Sequence, residues 1–367
     1  MIYSSTKQLF TTLPAKLITP STNETTTGAV VSPQSISVQA SARLHLGFLD
    51  LNGGLGRHFG SIGLAVSSHQ TKISLSTENT TYPISLTDAI QQKISKLVKQ
   101  FYLTLGAGVP SEQHQSKLQV HSLIPEHAGL GSGTQLALVI GQLLATYHQL
   151  DVSPQQIAEA MDRGKRSGIG ISTFSSGGFI VDAGLGAHSA TPASIFRHDF
   201  PSQWRLVMLM DKRQQGIHGQ TEIQAFKTLP QFPLKHSQHI CHLTLMQLLP
   251  ALVEEDIELF GAAITEIQAL IGQHFAPIQG GQYTSQPIAR LLQHAQSSGF
   301  NGVAQSSWGP TACIFTDSQP QADHLIMELH ELIAAETSLQ GIELLSATGV
   351  NKGADITIDG QTSINKQ

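Results

Sequence analysis

Cysteine is scarce in this chain: Cys241 and Cys313 are the only two among 367 residues. Two cysteines cannot build a disulfide framework, and the expected setting is a reducing cytoplasm. Charge is scarce as well, at 13% of residues with a net charge of −5. No basic block is present, so a nucleic-acid partner is not expected, and no acidic tail points to a solvating arm. No apolar run is long enough to span a bilayer, so a membrane partner is not expected either. Residues 1–34 are rich in Thr, Ser and Pro. They lack a basic stretch followed by a continuous apolar core, and read as a disordered extension rather than a secretory signal. Histidine, by contrast, is abundant, with 17 residues scattered along the chain. Pairs such as His236/His239 and His239/His242 lack the Cys or carboxylate pattern of a zinc site and read as surface or capping residues.

What is present suffices for a sizeable core: 40% of the residues are hydrophobic, over a length that accommodates two domains. Ser35–Ala40 alternates polar and apolar residues as a strand does, and Ile62–Val66 and Thr71–Ser76 read as two more strands. Apolar residues at helical spacing mark Asp88–Leu105. Leu118–Leu123 reads as a strand, and Leu136–Tyr147 and Pro154–Arg163 as helices, the latter capped by Ser153. Beyond Trp204–Asp211, an almost wholly apolar strand, helices are expected at Leu243–Leu252, Ile257–Ile271, Gln286–Ser298 and Ala322–Glu336. A hairpin is expected around Trp308-Gly309-Pro310, and final strands at Gly341–Leu345 and Asp355–Ile358. A boundary near Pro201 divides the chain into domains at 35–200 and 201–367.

The segment Pro125–Gln135 (PEHAGLGSGTQ) joins a strand to an apolar helix through three glycines in five residues. Such a turn presents backbone N–H groups without side chains in the way, and the helix dipole aims its positive end at the same point. Gly129, Gly131, Ser132, Gly133 and Thr134 are therefore candidate phosphate ligands, and the hydroxyls of Ser132 and Thr134 candidate contacts to a metal ion or its waters. A plain connector is the competing reading. The pattern is neither a Walker loop, since no Lys-Ser/Thr pair follows, nor a dinucleotide fingerprint.

Four further segments carry candidate chemistry. Ser41–Arg57 (SARLHLGFLDLNGGLGR) gathers Arg43, His45, Asp50 and Arg57 among glycines, with a solvated hairpin rim as the alternative. Arg163–Phe174 places Lys165 and Arg166 beyond a helix end as anion ligands, whereas Arg163 serves equally well as a partner of the helix dipole. Gln305–Thr311 offers Ser307 and an exposed-looking Trp308 as a wall of a substrate pocket. Ala347–Ala354 contributes Asn351 from a polar loop.

These segments together resemble the GHMP kinase superfamily. Within it the chain is similar to the β-ribofuranosylaminobenzene 5′-phosphate synthase family, on Ala42–Gly63, Pro125–Gln135, Arg166–Gly178, Gln305–Pro310 and Ala347–Ala354. The resemblance implies an α+β fold of two domains, an N-terminal ribosomal-protein-S5-like α/β domain and a C-terminal ferredoxin-like α/β sandwich. It implies a pentosyltransferase that joins phosphoribosyl pyrophosphate to 4-aminobenzoate, releasing CO2 and pyrophosphate, on the way to tetrahydromethanopterin-type cofactors. It also implies a homodimer. One departure separates the chain from many kinases of the superfamily. Their Ser-Gly-x-Asp turn supplies a base, and here Ser167-Gly168-Ile169 is followed by Gly170.

The expected mechanism places pyrophosphate on the glycine loop with Mg²⁺, which retains waters and uses substrate phosphate oxygens. Arg57 clamps a substrate carboxylate or phosphate. Asp50 orients Arg57, binds metal or stabilises a ribosyl cation, and His45 contacts the aminobenzoate or a phosphate. The main alternative is an ATP-dependent small-molecule kinase, for which Asp50 or Asp182 would have to replace the missing base. A non-catalytic phosphate-ligand sensor is a third reading.

Overall fold

The computed structural model describes residues 35–76, 84–115, 117–216, 219–359 and 361–364. The expected disordered extension at 1–34 lies outside them. The chain opens with two long paired strands, β1 (Ser35–Asp50) and β2 (Phe59–Ser76). The two short strands expected at 62–76 are one strand, kept continuous by a bulge opposite Ser41/Ala42 that absorbs the polar Ser67–His69 stretch. Next come α1 (Asp88–Leu103), β3 (Leu118–Ser122), α2 (Ser132–Tyr147) and α3 (Pro154–Ala160). Ser153 caps α3 in a capping box with Gln156.

The glycine-dense stretch after α3 holds a helix absent from the sequence reading, α4 (Ile169–Ser176), followed by β4 (Phe179–Asp182) and β5 (Ser194–His198). The second half contains β6 (Arg205–Asp211), α5 (Gly219–Thr228) and α6 (Leu234–Leu243). A π turn at Thr244–Leu248 leads from α6 into α7 (Leu249–Val253). Then follow α8 (Ile257–Gln279), α9 (Gln286–Ser297), β7 (Val303–Gln305), β8 (Thr311–Thr316), α10 (Gln319–Ala335), β9 (Ile342–Ala347), β10 (Asp355–Ile358) and β11 (Gln361–Ile364).

Two sheets result. The larger has the order β11-β10-β1-β2-β4-β5, with β3 also on β2, and the smaller has the order β7-β8-β6-β9. The C-terminal strands β10 and β11, assigned by the sequence to the second domain, pair onto β1 of the first sheet instead. The smaller sheet is buried on both faces. Leu206, Met208 and Met210 of β6 join the core made with α6 to α8, and Val207 and Leu209 join the core under α9 and α10. That double burial accounts for the unbroken apolar run of β6.

β1 is shared by two cores. Ile36, Val38 and Ala40 pack with α1, α2 and α3, and Leu44, Leu46 and Phe48 pack with the helices of the second half. The strand therefore carries Arg43 and His45 to the place where the halves meet.

Candidate active site between the two halves

The glycine loop lies at that meeting place. Gly129 and Gly131 have left-handed backbones at φ +79° and +81°, and Gly131 caps α2. Arg43 holds the loop from β1: its N–H donates to the Leu130 carbonyl at 3.1 Å and its Nη1 to the Gly129 carbonyl at 2.6 Å. From the second half, Ser306 Oγ donates to the Gly129 carbonyl at 2.7 Å and accepts from the His45 N–H at 3.0 Å. The approach is backbone on backbone. A Cβ on Gly129 would sit 2.4 Å from the Ser306 carbonyl oxygen, and one on Gly309 would sit 2.5 Å from Ala128. Gly133 faces open space, and the hydroxyls of Ser132 and Thr134 make no hydrogen bond among the described residues.

The α4 N-terminus abuts the same helix start. A Cβ on Gly170 would lie 2.8 Å from the Thr134 methyl carbon, so the position of the kinase base is closed by a side chain of the loop itself. Gln135, fully buried, donates to the Gly170 carbonyl at 2.9 Å and locks this contact. Asp182 at the end of β4 accepts from the N–H groups of Gly168 and Gly184, both at 2.8 Å, and burial raises its pKa above the ordinary carboxylate value. Asp50 accepts from Asn52 N at 2.7 Å, Gly53 N at 3.1 Å and Ser237 Oγ at 2.8 Å, closing its own turn. Both carboxylates that might replace the base are thus already engaged in hydrogen bonds that hold neighbouring segments together.

The other expected residues scatter. Arg57 does not pair with Asp50: its Nε and Nη2 donate to the carbonyls of Ala183 and Gly184 at 2.8 and 3.0 Å, one and two residues beyond Asp182. Lys165 pairs with Asp162 on the surface. Arg166 lies near enough to His45, with Arg43, to depress its proton affinity. Trp308 is not exposed: it is 4% accessible and packs on Phe275 with ring centroids 4.6 Å apart, because a rigid apolar ring at this tip finds a core to enter. Ser307 N donates to the His45 carbonyl at 3.0 Å, and its φ is +54°. Asn351 clamps the backbone of Phe200, accepting from its N–H at 2.7 Å and donating to its carbonyl at 2.9 Å, away from the loop.

Beside the loop a narrow cleft is lined by His45, Phe48, Ile271, Phe275, Gln305 and Trp308. His45 is 4% exposed, its Nε2 has no hydrogen-bond partner among the described residues, and burial together with Arg43 drops its pKa to about 3. It is a neutral imidazole at physiological pH. The sequence reading missed Ser306, Gln268, Phe48 and Phe275. Gln268 was the legible one, a polar residue on the apolar stripe of a helix, which here donates to the Leu46 carbonyl at 2.6 Å.

Family models agree with this geometry. "GHMP kinases N terminal domain" matches residues 92–178 and "GHMP kinases C terminal" matches 248–334. The chain is 32% identical to a beta-ribofuranosylphenol 5'-phosphate synthase of Methanothermobacter thermautotrophicus over 300 residues, covering 77% of this chain and 89% of the relative. It is 32% identical over 311 residues to the protein of the same name from Methanocaldococcus jannaschii, covering 77% and 90%. The chain belongs to the beta-ribofuranosylphenol 5'-phosphate synthase family, on the GHMP kinase fold. It is accordingly an enzyme. Among solved structures, L. major mevalonate kinase in complex with R-mevalonate superposes with a TM-score of 0.62 at 16% identity, covering 87% of this chain and 98% of the kinase. Homoserine kinase from Cytophaga hutchinsonii gives 0.61 at 15% identity, covering 91% and 100%. These two show the shared fold. No helix among the described residues is long and apolar enough to cross a membrane.

Proposed function

We propose that the enzyme transfers phosphoribose from phosphoribosyl pyrophosphate to 4-aminobenzoate with loss of CO2, at the glycine loop. The observation that favours this over a kinase is Gly170 set against Thr134, which leaves no carboxylate where the resemblance places the kinase base and a methyl carbon 2.8 Å from where its Cβ would be. Electrophilic substitution at the ring needs no base to create the nucleophile. The C1–O bond of the ribose breaks and its electron pair leaves with pyrophosphate. The ring carbon bearing the carboxylate, made electron-rich by the para amino group, bonds to C1. The carbon–carboxylate bond then breaks, its pair restores aromaticity, and CO2 departs.

The exposed N–H groups of the loop and the α2 dipole receive the pyrophosphate charge. Among the described residues no group of three His, Cys, Asp or Glu could hold a metal ion. The hard oxygens of Ser132 and Thr134 fit an ion brought in by substrate phosphate rather than one caged by protein. Those two hydroxyls would hold Mg²⁺ through its waters, and the ion would offset charge on the leaving group. Arg57, whose Nη1 makes no bond among the described residues, takes the 5′-phosphate or the carboxylate. The cytoplasmic setting that the two free cysteines fit and the homodimer implied by family likeness complete this reading.

A second acceptor has a specific observation behind it. The relatives' printed name says phenol, the product expected from 4-hydroxybenzoate, whose para hydroxyl activates the ring in the same way. Incubation with phosphoribosyl pyrophosphate and each acid, followed by mass spectrometry of the product, tests the reading. A C-ribosyl aniline or phenol phosphate lacking the carboxyl group is expected. Phosphorylated alcohols formed from ATP, with no such product, would refute it.

A further inference from the structure

We propose that the cleft between β1, α8 and the Gln305–Pro310 tip is the subsite for the aromatic ring of the acceptor, with the para substituent hydrogen-bonded by the side-chain carbonyl of Gln279. The proposal rests on the acceptor class given above and adds where the ring sits and what reads it.

Three observations point there. The walls are the right chemistry for a flat apolar body: Phe48, Phe275 and Trp308 surround it, with Ile271 beside them. The polar part of the lining is of two kinds, an imidazole and a set of amides. His45 ties the cleft to the glycine loop, because its backbone is joined to the Gly129 carbonyl through the single hydroxyl of Ser306. Its buried Nε2 has no partner among the described residues and lines the cleft. That ring nitrogen is available for a hydrogen bond to the acceptor's carboxyl group. Gln279, Gln282 and Gln305 also line the cleft, and Gln305 reaches Gln279 through its amide.

The Gln279 amide has a fixed polarity. Gln279 Nε2 donates to the Gln282 carbonyl at 2.7 Å, which turns Oε1 the other way. That oxygen accepts only long contacts, from Gln305 Nε2 and Thr284 Oγ1, both at 3.4 Å. A substrate N–H or O–H therefore improves on what the oxygen has. Aryl amine and phenol both supply such a donor, so one site serves both acceptors, whereas a fluorine of similar size supplies none. The cleft is closed down to about 20 Å³, room for one water. Seating a ring there requires the tip to move off β1, which would break the bonds of Ser307 and Ser306 to the His45 backbone.

Calorimetric titration of the full-length enzyme, with Mg²⁺ and pyrophosphate present, compares 4-hydroxybenzoate with 4-fluorobenzoate. The expected dissociation constants differ about tenfold in favour of the hydroxy acid in the wild type. They become equal within about twofold in Gln279→Leu, and the fluoro acid binds both proteins alike. A ratio that ignores Gln279, or failure of both acids to bind, overturns the subsite. The turnover reading is separate. CO2 release with an unchanged ratio removes the subsite and leaves the reaction standing. The expected ratio without CO2 release leaves the subsite and removes the reaction.

Discussion

Glycine is dense in the loop Gly129–Gly133 and again in the turn from Asp50 to Arg57, yet it does different work in the two. At the loop, glycine makes room for backbone from both sides: Gly129 for Ser306, and Gly309 of the facing tip for Ala128. In the turn, Gly53 makes room only for the ring of nearby His58, Gly56 has a left-handed backbone at φ +80° and nothing within 4 Å of where a Cβ would be, and Arg57 beyond it is exposed. The first region is held by backbone packed on backbone across the two halves, and the second by side-chain hydrogen bonds, Ser237 to Asp50 and Asn52 to the Phe232 carbonyl among them. A high local density of glycine thus signals close approach only when another segment arrives to use the space.

The contrast breaks most visibly at Gly129. Gly129→Ala forces a Cβ onto a carbonyl oxygen at a left-handed position, and should cost about 2–4 kcal/mol and lower turnover about a hundredfold. Urea unfolding together with a turnover assay measures both. An alanine enzyme of normal stability and rate would mean that the halves do not meet as described.

Arg57→Ala tests whether the turn matters to chemistry more than to folding. Two hydrogen bonds to carbonyls at a solvent-exposed site are worth about 1 kcal/mol, whereas loss of a substrate clamp should cut turnover about a hundredfold. Near-normal turnover would remove Arg57 from the mechanism. Because Arg57 holds the carbonyls next to Asp182, the double variant with Asp182→Asn should show a coupling of about 1 kcal/mol in stability. Simple additivity would show that the two act apart.

His45 sharpens the comparison through pH. Its folded pKa of about 3 lies below its ordinary 6.5, so the unfolded chain takes up a proton first as pH falls. The stability this contributes is intact above pH 6.5 and is lost progressively down to about 3. His45→Gln should flatten that part of the acid unfolding curve, and an unchanged slope would place the imidazole in water.

The smallest effect is expected at the turn. Gly56→Ala should cost about 1 kcal/mol, because the left-handed penalty is partly offset by the lower entropy of the unfolded chain, and turnover should stay within about twofold. A large loss of activity would show that the turn is gripped by something it does not touch here.

Much of this was legible from residue patterns. The strand–loop–helix around Gly131 reads directly because apolar periodicity changes at the glycines, and Gly170 is visible as a missing carboxylate. What Gly170 makes room for was not legible, since Thr134 reaches it only through tertiary packing. α4 was hidden because Gly168 and Gly170 lower helix propensity, a cost repaid by burial of Ile169, Ile171 and Phe174. β10 was placed in the wrong half because a short strand carries no record of the sheet that will receive it. Asn351 looked like a site residue by its polar surroundings and instead clamps the backbone of Phe200, whereas Trp308 looked exposed and is buried against Phe275 while still lining the cleft.

The central claim is tested most directly by one stoichiometry. The enzyme is supplied with phosphoribosyl pyrophosphate and 4-aminobenzoate labelled at the carboxyl carbon, and labelled CO2 and pyrophosphate are counted together. One CO2 per pyrophosphate, with no ATP required, is the predicted result. Pyrophosphate without CO2, or ADP formed from ATP with the label retained in the acid, would contradict it.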